Sequence, residues 1–287
     1  MRGILIPIGG NEDKGLGKNE MYTLEFIDKG ILANIVKESG GKGARIVVVT
    51  TASSIPQEVG QNYLDAFNKL GCEYVSIIDL RTKTACEDKE TIRLFREANC
   101  VMFSGGDQSK IVDIIGGTVL HDIISSKLAT ERFVLAGTSA GAMCMSKEMI
   151  SGGSSTEALF KGGVHLRNGM GFLNEVIIDT HFIQRGRFGR LSEAVAVFPT
   201  LLGIGLAEDT GLIIRNGTEC EVIGSGMVIF FDPSKLIHNN IQNLAEGLPV
   251  SITNLIVNIL AHGDKFSLRD RTTKIMTLEE YSSQFLE

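Results

Sequence analysis

The sequence predicts an α/β fold with a mostly parallel central sheet, helices on both faces, and an antiparallel extension in the C-terminal third. Apolar runs rich in Val and Ile alternate with helical patterns from the N-terminus onward, which is typical of parallel strands buried on both faces. After about residue 200, short strands follow one another without long helices, which predicts the antiparallel extension. Because no linker rich in Pro or charge interrupts this pattern, we expect residues 1–287 to form a single domain.

The predicted elements alternate along the chain in the order that a doubly wound sheet requires. The expected strands are Gly3–Ile8, Arg45–Thr50, Tyr74–Ile78, Cys100–Phe103, Phe133–Ala136, Val176–Asp179, Gly203–Ala207, Leu212–Arg215, Glu221–Ile223 and Met227–Phe231. The expected helices are Asn19–Lys37, Glu58–Leu70, Glu87–Ala98 and Ser109–Ile115. In the second of these helices, Val59, Tyr63 and Phe67 share one apolar face, and Gly71 ends the helix.

Composition argues against several classes of protein. The chain has 34 acidic and 28 basic residues, a net charge of −6 and a pI near 5.5, which disfavours a general nucleic-acid-binding surface. No run approaches the roughly 18–20 apolar residues of a membrane span, and the short N-terminal run predicts a core strand rather than a secretory signal. The five cysteines are widely spaced and include no Cys-x-x-Cys pair, so we expect free thiols in a reducing cytoplasm and no metal site.

The strongest catalytic signal is the stretch FVLAGTSAGAMCM, where a buried strand runs into a Gly-rich turn and then a helical pattern. This is a Gly-x-Ser-x-Gly elbow in the strand–turn–helix context that it requires. Gly137 and Gly141 leave room for a sharp turn that lifts the Ser139 hydroxyl off the sheet edge. The N–H of Ala140 can then donate to a developing oxyanion. The alternative is a Gly-rich turn with an incidental Ser.

Other Gly-rich stretches also follow predicted strands. In VMFSGGDQSKI, Gly105 or Gly106 is a candidate second oxyanion donor, and Gln108 can reach an amide or carboxylate of a substrate. The alternative is a helix capped by Asp107 and a solvated Gln108. The opening turn IGGNEDK lacks the full Gly-x-Gly-x-x-Gly and Gly-Lys-Ser/Thr patterns, which argues against a nucleotide-binding domain. The segment Ser151–Gly163 is either a mobile loop beside a site or a surface connection.

A serine nucleophile needs a base and an acid that orients the base. Among the five histidines, His181 stands out because it directly follows the predicted strand VIID. Glu208 and Asp209 end another apolar strand in GIGLAEDTGL, and we take Glu208 as the orienting acid. Without partners, these side chains would be a structural histidine and a solvated carboxylate.

Three arginines follow His181 in the stretch DTHFIQRGRFGRL. If a helix begins near Gly186, Arg187 and Arg190 share a face in its first turns, where cations oppose the helix dipole. Breaking that local rule indicates a function, and together with Arg185 the two side chains suit a carboxylate-bearing substrate. A solvated basic turn is the alternative.

Taken together, the motifs IGGNEDK, SGGDQ, GTSAGA, DTHFIQRGRFGRL and GIGLAEDTGL resemble those of the cyanophycinases, in the serine peptidase family that also contains aspartyl dipeptidase. The resemblance spans residues 3–231, and five motifs in one order are far more specific than any one of them. It implies an α/β sandwich related to class I glutamine amidotransferases and a homodimer. The chemistry needs no cofactor.

The resemblance also implies roles for the candidate residues. Ser139 would be the nucleophile, His181 the base and Glu208 its partner. The family's substrate-pocket positions are occupied by Gln108, Asp179, Thr180, Arg185, Arg187 and Arg190. The implied substrate is cyanophycin, a poly-aspartate backbone with arginine on each side-chain carboxyl, cleaved to β-Asp-Arg dipeptides. Its carboxylates would suit the arginines, and its guanidinium groups would suit Asp179.

Two positions depart from the family pattern. Thr180 stands where cyanophycinases usually carry Gln, and Asp209 stands where Asn commonly follows the Glu. A peptidase for other aspartyl or isoaspartyl peptides is therefore an alternative, as is a non-catalytic binding protein of the same fold. A glutaminase-like amidotransferase would carry Cys in place of Ser139.

Overall fold

The computed structural model describes residues 1–17 and 24–285. Within them the strands are β1 (Ile4–Ile8), β2 (Arg45–Val49), β3 (Tyr74–Ile78), β4 (Cys100–Phe103), β5 (Val134–Thr138), β6 (Glu148–Gly153), β7 (Val164–Asn168), β8 (Val176–Asp179), β9 (Leu202–Leu206), β10 (Thr210–Arg215), β11 (Glu219–Gly224), β12 (Met227–Asp232), β13 (His238–Asn239), β14 (Ile252–Thr253), β15 (Ile256–Ala261), β16 (Lys265–Ser267) and β17 (Thr272–Lys274). The α-helices there are α1 (Ile31–Glu38), α2 (Pro56–Lys69), α3 (Lys89–Glu97), α4 (Gln108–Ile115), α5 (Val119–Thr130), α6 (Ala140–Met143), α7 (Phe188–Val197) and α8 (Leu278–Phe285).

The largest sheet confirms the predicted fold class. Its strand order is β17-β16-β11-β10-β1-β5-β4-β2-β3. The strands from β1 to β3 in this order are parallel, and β10, β11, β16 and β17 continue the sheet in antiparallel pairs. The parallel strands are almost continuously apolar because both of their faces are covered.

Helices and cores lie on both faces of this sheet. Along β1, Ile4, Ile6 and Ile8 point into the core formed with α1 and α2, whereas Leu5 points into the larger core on the opposite face. That larger core contains apolar side chains of α3 to α7. The alternation follows from the two-residue period of a strand, so each strand contributes to two cores.

A second sheet, with strand order β15-β12-β9-β8, packs against the larger core. We expected all the strands after residue 200 to extend one sheet. β10 and β11 do so, but β9 pairs in parallel with β8 and antiparallel with β12. Both edges of β1 are already paired, one with β5 and the other with β10. The apolar strands β9 and β12 pair with each other in a second layer instead.

Some local elements differ from the sequence prediction. The helix expected over Asn19–Lys37 begins only at Ile31, and residues 19–23 of that range lie outside the described residues. The Glu25 carboxylate accepts hydrogen bonds from the N–H groups of Ile27 (3.0 Å) and Asp28 (2.7 Å), which closes a turn that competes with the helix. Helix α5 and the hairpin β6–β7 were not predicted.

The Gly-rich segment Ser151–Gly163 comprises the end of β6 and the connection to β7, and it is attached to α7. The buried Glu193 carboxylate accepts hydrogen bonds from the N–H groups of Leu159 (2.9 Å) and Val164 (3.2 Å). The segment is therefore a connection anchored by a buried acid. Separately, none of the described helices has the length and apolar character needed to cross a membrane.

Candidate active site

A cavity of about 440 Å³ lies beyond the carboxyl ends of β1, β4 and β5. Ligands of open α/β sheets bind at this edge, because the loops that leave the strands converge there. The cavity is lined by Gly10, Asn11, Glu12, Lys14, Ile55, Glu58, Val59, Asn62, Tyr63, Gly105, Gly106, Thr138, Ser139, His181 and Arg185.

Ser139 occupies the sharp turn between β5 and α6. Its backbone has φ 52° and ψ −111°, a conformation that residues other than glycine rarely adopt. Its N–H donates to the Ile8 carbonyl (2.9 Å), and its side chain reaches the cavity. Strain of this kind costs about 1–3 kcal/mol and persists only where the surroundings hold it.

His181 follows β8 and also has a positive φ, 47°. Its N–H donates to the Gly9 carbonyl (2.8 Å), and its Nε2 lies 2.9 Å from the Ser139 hydroxyl oxygen. The ring packs so closely against Gly10 that a Cβ there would lie 2.4 Å from the His181 Cε1. Gly10, with φ 105°, therefore leaves the space in which the imidazole sits.

Glu208 continues the series of hydrogen bonds from the turn after β9. Its Oε1 lies 2.6 Å from the Nδ1 of His181, and its Oε2 accepts a hydrogen bond from the Asn11 side chain at 3.1 Å. The Glu208 N–H donates to the side-chain oxygen of Gln184 (3.2 Å). The structure thus brings Ser139, His181 and Glu208 together in the order hydroxyl, imidazole, carboxylate. Such a series can transfer a proton from the hydroxyl to the ring.

Burial and the positive charges of two neighbouring arginines lower the pKa of the imidazole, whereas the Glu208 carboxylate raises it. The pKa of His181 is lowered from its ordinary value, chiefly because burial disfavours the charged ring. The nearby Arg185 and Arg187 guanidinium groups lower this pKa further, whereas the hydrogen bond to Glu208 opposes the shift. A neutral ring at physiological pH is the form that can accept a proton.

The predicted oxyanion donors surround the Ser139 side chain. The Ala140 N–H stands at the start of α6, and a Cβ at Gly105 would lie 3.4 Å from the Ser139 Cβ. Gly106 lines the same cavity with φ 139°. Within the described part of the chain, the N–H groups of Ala140, Gly105 and Gly106 donate no hydrogen bond. They are available to an oxygen that develops negative charge beside Ser139.

Comparison with models of known protein families identifies the family of this chain. The model of peptidase family S51 matches residues 23–222. The chain belongs to peptidase family S51. It is a serine-type peptidase, which agrees with the cavity around Ser139.

Several curated relatives of this S51 peptidase are named cyanophycinase. The chain is 35% identical over 268 residues to a cyanophycinase of Trichormus variabilis, and the match covers 93% of this chain and 86% of the relative. It is 33% identical over 267 residues to a cyanophycinase of Geminocystis herdmanii, covering 93% and 94%. A crystal structure of a peptidase from an acI-B1 Actinobacterium has a TM-score of 0.63 at 22% identity, covering 93% of this chain and 97% of that one, and supports the fold.

The structure places Asp179, Arg187 and Arg190 differently from the expected substrate contacts. The Asp179 side chain is completely buried and lies 2.5 Å (Oδ1) from the Arg190 Nη2 and 3.1 Å from the Arg187 Nη1. Arg190 also donates from Nε to the Asp179 Oδ2 (2.7 Å). These three residues, the Asp179 cluster, pair with one another inside the S51 peptidase, although the buried Nε of Arg187 has no hydrogen-bond partner among the described residues. Asp179 therefore has no exposed carboxylate for a substrate guanidinium, and the helix α7 begins at Phe188 with Arg187 at its N-cap.

Of the remaining predicted pocket residues, one lines the cavity and two lie outside its lining. Arg185 lines the cavity, and its guanidinium forms no hydrogen bond or ion pair with the described residues. Gln108 donates from its side chain to the Ile150 carbonyl (2.8 Å), which orients the amide. Thr180 is fully buried, and its hydroxyl lacks a hydrogen-bond partner in the described part of the structure. Thr180 therefore supports the segment before His181 through its backbone, which binds Asp179 and Arg187.

Several residues of the site were not predicted from the sequence. The turn after β1 contributes Asn11, Glu12 and Lys14, whereas IGGNEDK indicated an incomplete phosphate motif and the family resemblance without assigning a role to these three residues. Its successive polar residues after a buried strand were the available signal. Helix α2 contributes Glu58 and Tyr63, for which the helical pattern indicated only a core face. Among the described residues, no group of three or more His, Cys, Asp or Glu side chains is placed to hold a metal ion.

Proposed function

We propose that this S51 peptidase hydrolyses cyanophycin, multi-L-arginyl-poly-L-aspartate, to β-Asp-Arg dipeptides through an acyl-enzyme on Ser139. The observation that carries the proposal is the series Ser139–His181–Glu208, with distances of 2.9 and 2.6 Å, in a cavity of a chain that is similar to cyanophycinases over 93% of its length. The series supports nucleophilic catalysis, and the likeness supports the choice of substrate.

The reaction follows from the hydrogen bonds around Ser139. His181 Nε2 takes the hydroxyl proton as Ser139 Oγ attacks the scissile carbonyl carbon. The N–H groups of Ala140 and of Gly105 or Gly106 stabilise the oxyanion, each such donor being worth about 10²–10³ in rate. The imidazolium then gives the proton to the leaving amine, and a water molecule, deprotonated by His181, hydrolyses the ester. Glu208 orients the ring and stabilises its charged form.

The charges around the cavity support a substrate that carries both signs. Lys14 and Arg185 line it as cations, and Glu58 lines it as an exposed acid. A β-Asp-Arg unit of cyanophycin carries carboxylate and guanidinium groups. We assign Arg185 and Lys14 to the carboxylates and Glu58 to the guanidinium, because charge-assisted hydrogen bonds are the strongest polar contacts available. Gln108 does not line the cavity, and the family resemblance alone supports its contact with substrate. The buried Asp179 cluster and Thr180 act indirectly, by holding the His181 segment.

The test is product analysis by mass spectrometry after incubation with insoluble cyanophycin. Ser139→Ala protein, shown to be folded by circular dichroism, serves as the control. Release of β-Asp-Arg by the wild type alone supports both the substrate and the nucleophile. Turnover retained in the variant would refute the role of Ser139. No release by folded wild type would refute cyanophycin as substrate, and cleavage of short aspartyl or isoaspartyl peptides would then identify the alternative activity.

The compartment and the assembly are part of the same proposal. All five cysteines are buried free thiols, which supports a reducing cytoplasm. The family resemblance supports a homodimer. Light scattering after size-exclusion chromatography distinguishes a dimer of about twice 31.1 kDa from a monomer.

A further inference from the structure

The turn that follows β1 holds a buried acid that the proposed mechanism does not use. This turn, residues 9–14, is called here the β1 turn. The Glu12 side chain has no exposed surface, although it forms part of the cavity floor beside Ser139. A buried carboxylate is costly unless hydrogen bonds and charges compensate it, so its contacts indicate what it does.

The contacts of Glu12 connect three separate parts of the chain. Its Oε2 accepts a hydrogen bond from the Thr138 hydroxyl (2.6 Å). Its Oε1 accepts a short hydrogen bond from the Tyr63 hydroxyl and lies 3.1 Å from the Lys14 ammonium nitrogen. Burial opposes the charge of Glu12, yet Lys14, Thr138 and Tyr63 together hold its pKa below the ordinary value. The group is therefore a carboxylate anion surrounded by donors.

One of these donors is directly connected to the reacting hydroxyl. Thr138 is the last residue of β5 and the neighbour of Ser139, whose strained backbone must be held by its surroundings. On the other side, the Ser139 N–H is held by the Ile8 carbonyl, immediately before the β1 turn. The carbonyl at the end of β1 therefore holds Ser139, and the Glu12 carboxylate holds Thr138.

The same turn contacts the other two members of the series. The Gly9 carbonyl accepts the His181 N–H (2.8 Å), and the Asn11 side chain donates to Glu208 (3.1 Å). The loops that carry Ser139, His181 and Glu208 come from three different strands. The β1 turn is a place where their positions can be set relative to one another.

We propose that Glu12 is a positioning residue, which holds Thr138 so that the Ser139 hydroxyl stays in line with His181. The proposal rests on the proposed function of Ser139. Replacing one carboxylate oxygen by an amide NH₂ would set a donor against the donors that now surround Glu12. The end of β5 would then move, and a displacement of about 1 Å at a reacting atom can reduce a rate about 10²-fold.

A matched control is available elsewhere in the chain. Glu193 is also buried, at 1% exposure, but its carboxylate accepts hydrogen bonds from the backbone N–H groups of Leu159, between β6 and β7, and Val164, at the start of β7. Glu12→Gln and Glu193→Gln therefore both disturb a buried carboxylate, and we expect both to lower the melting temperature. Only Glu12→Gln should disturb Ser139.

The experiment measures the reaction of purified protein with a fluorophosphonate, a probe of activated serines that needs no peptide recognition. Each variant is assayed below its own melting temperature. We expect Glu12→Gln to lower the maximal rate of labelling at least about tenfold while the half-saturating probe concentration stays constant. Glu193→Gln should remain within about twofold of the wild type. Thr138→Val should reproduce most of the loss, and the double variant Glu12→Gln/Thr138→Val should be no slower than Glu12→Gln, because the two act as one unit.

Each other outcome contradicts the proposal. Equal losses in Glu12→Gln and Glu193→Gln, or fully additive losses in the Glu12→Gln/Thr138→Val pair, would make Glu12 a purely structural acid. A wild-type protein that is folded but takes up no probe would refute the proposed function of Ser139, and with it the series that Glu12 is proposed to align.

Discussion

Asp179 and His181 lie two residues apart at the end of β8, yet they belong to regions with opposite environments. His181 faces the cavity and the Ser139 hydroxyl, whereas Asp179 is completely buried between Arg187 and Arg190. The cavity region is held by hydrogen bonds that leave a hydroxyl and a ring accessible. In the Asp179 cluster the carboxylate is shared by two guanidinium groups and none of it faces solvent. A charged residue beside a candidate catalytic histidine therefore need not face the substrate.

The arginines repeat this contrast within one segment. Arg185 lines the cavity, and Arg187, two residues later, turns to Asp179. Burial lowers the pKa of Arg187 to about 10, with Asp179 opposing the shift, so the guanidinium stays charged at neutral pH. We expect changes in the cavity to reduce catalysis and changes in the Asp179 cluster to reduce stability.

The largest expected effect is on turnover in the cavity. Glu208→Gln should lower kcat about 10³–10⁴-fold with little change in the melting temperature, because an amide in place of the carboxylate favours the wrong tautomer of His181. The measurement is kcat and KM on the substrate found by product analysis. Glu73→Gln, at an exposed position, is the control and should retain wild-type kcat. A loss smaller than tenfold in Glu208→Gln would contradict an orienting role.

The next effect is on the free energy of unfolding. Asp179→Asn should lower it by about 3–5 kcal/mol, because it leaves two buried guanidinium groups without their counter-ion. The check is urea denaturation monitored by circular dichroism. Asp113→Asn is the matched control, since Asp113 pairs with Arg167 while its side chain is 58% exposed, and it should cost only about 0–1 kcal/mol. An Asp179→Asn protein of unchanged stability but weakened substrate binding would show that Asp179 faces the substrate.

A smaller effect, on KM, should distinguish the roles of the positive and the negative side chains that line the cavity. Arg185→Gln should raise KM about fivefold to tenfold for peptides with a free carboxylate, and Glu58→Gln should do so for peptides with arginine. Steady-state kinetics on matched peptides lacking one charge would measure the selectivity. Arg93→Gln, far along the chain on α3, is a control that should leave KM unchanged. Equal losses on charged and neutral peptides would argue against direct recognition.

The smallest effect concerns pH. The lowered pKa of His181 means that the ring stays neutral, and the enzyme active, to a lower pH than an ordinary histidine would allow. Removing the nearby positive charge in Arg185→Gln should raise that pKa and move the acid limb of kcat/KM to higher pH. The profile of kcat/KM between pH 4 and 8 (an assay range of roughly four units around the histidine pKa) tests this. An acid limb that moves to lower pH in the variant would contradict the assigned electrostatics.

Much of the fold was predictable because it is local. Apolar runs identified β1 to β5 and the start of each following loop, and residues at the ends of parallel strands must meet at one edge. Ser139 was predictable as a candidate for the same reason, since its elbow is a strand, a turn and a helix within a few residues. Gln108 and Ala140 could be placed near the same edge of the sheet for the same reason, because each comes shortly after a predicted strand.

Other features depend on contacts between residues far apart in sequence. Glu12 binds Thr138 across 126 positions and Tyr63 across 51, and periodicity along the chain contains no information on such pairs. The second sheet was missed because a strand pattern predicts a strand but not its neighbour. The Asp179 cluster was missed because the direction of a side chain after a strand depends on what packs around it.

The sequence by itself determined the strands β1 to β5 and β8 to β12, the sharp elbow at Ser139 and the polar residues that stand at strand ends, because these follow from hydrophobic periodicity and glycine placement. Only the tertiary structure decided which of those polar residues face the cavity. Burial made the decision: Asp179, Arg187 and Arg190 could be taken out of water only by pairing with one another, whereas His181 and Arg185 kept an accessible side.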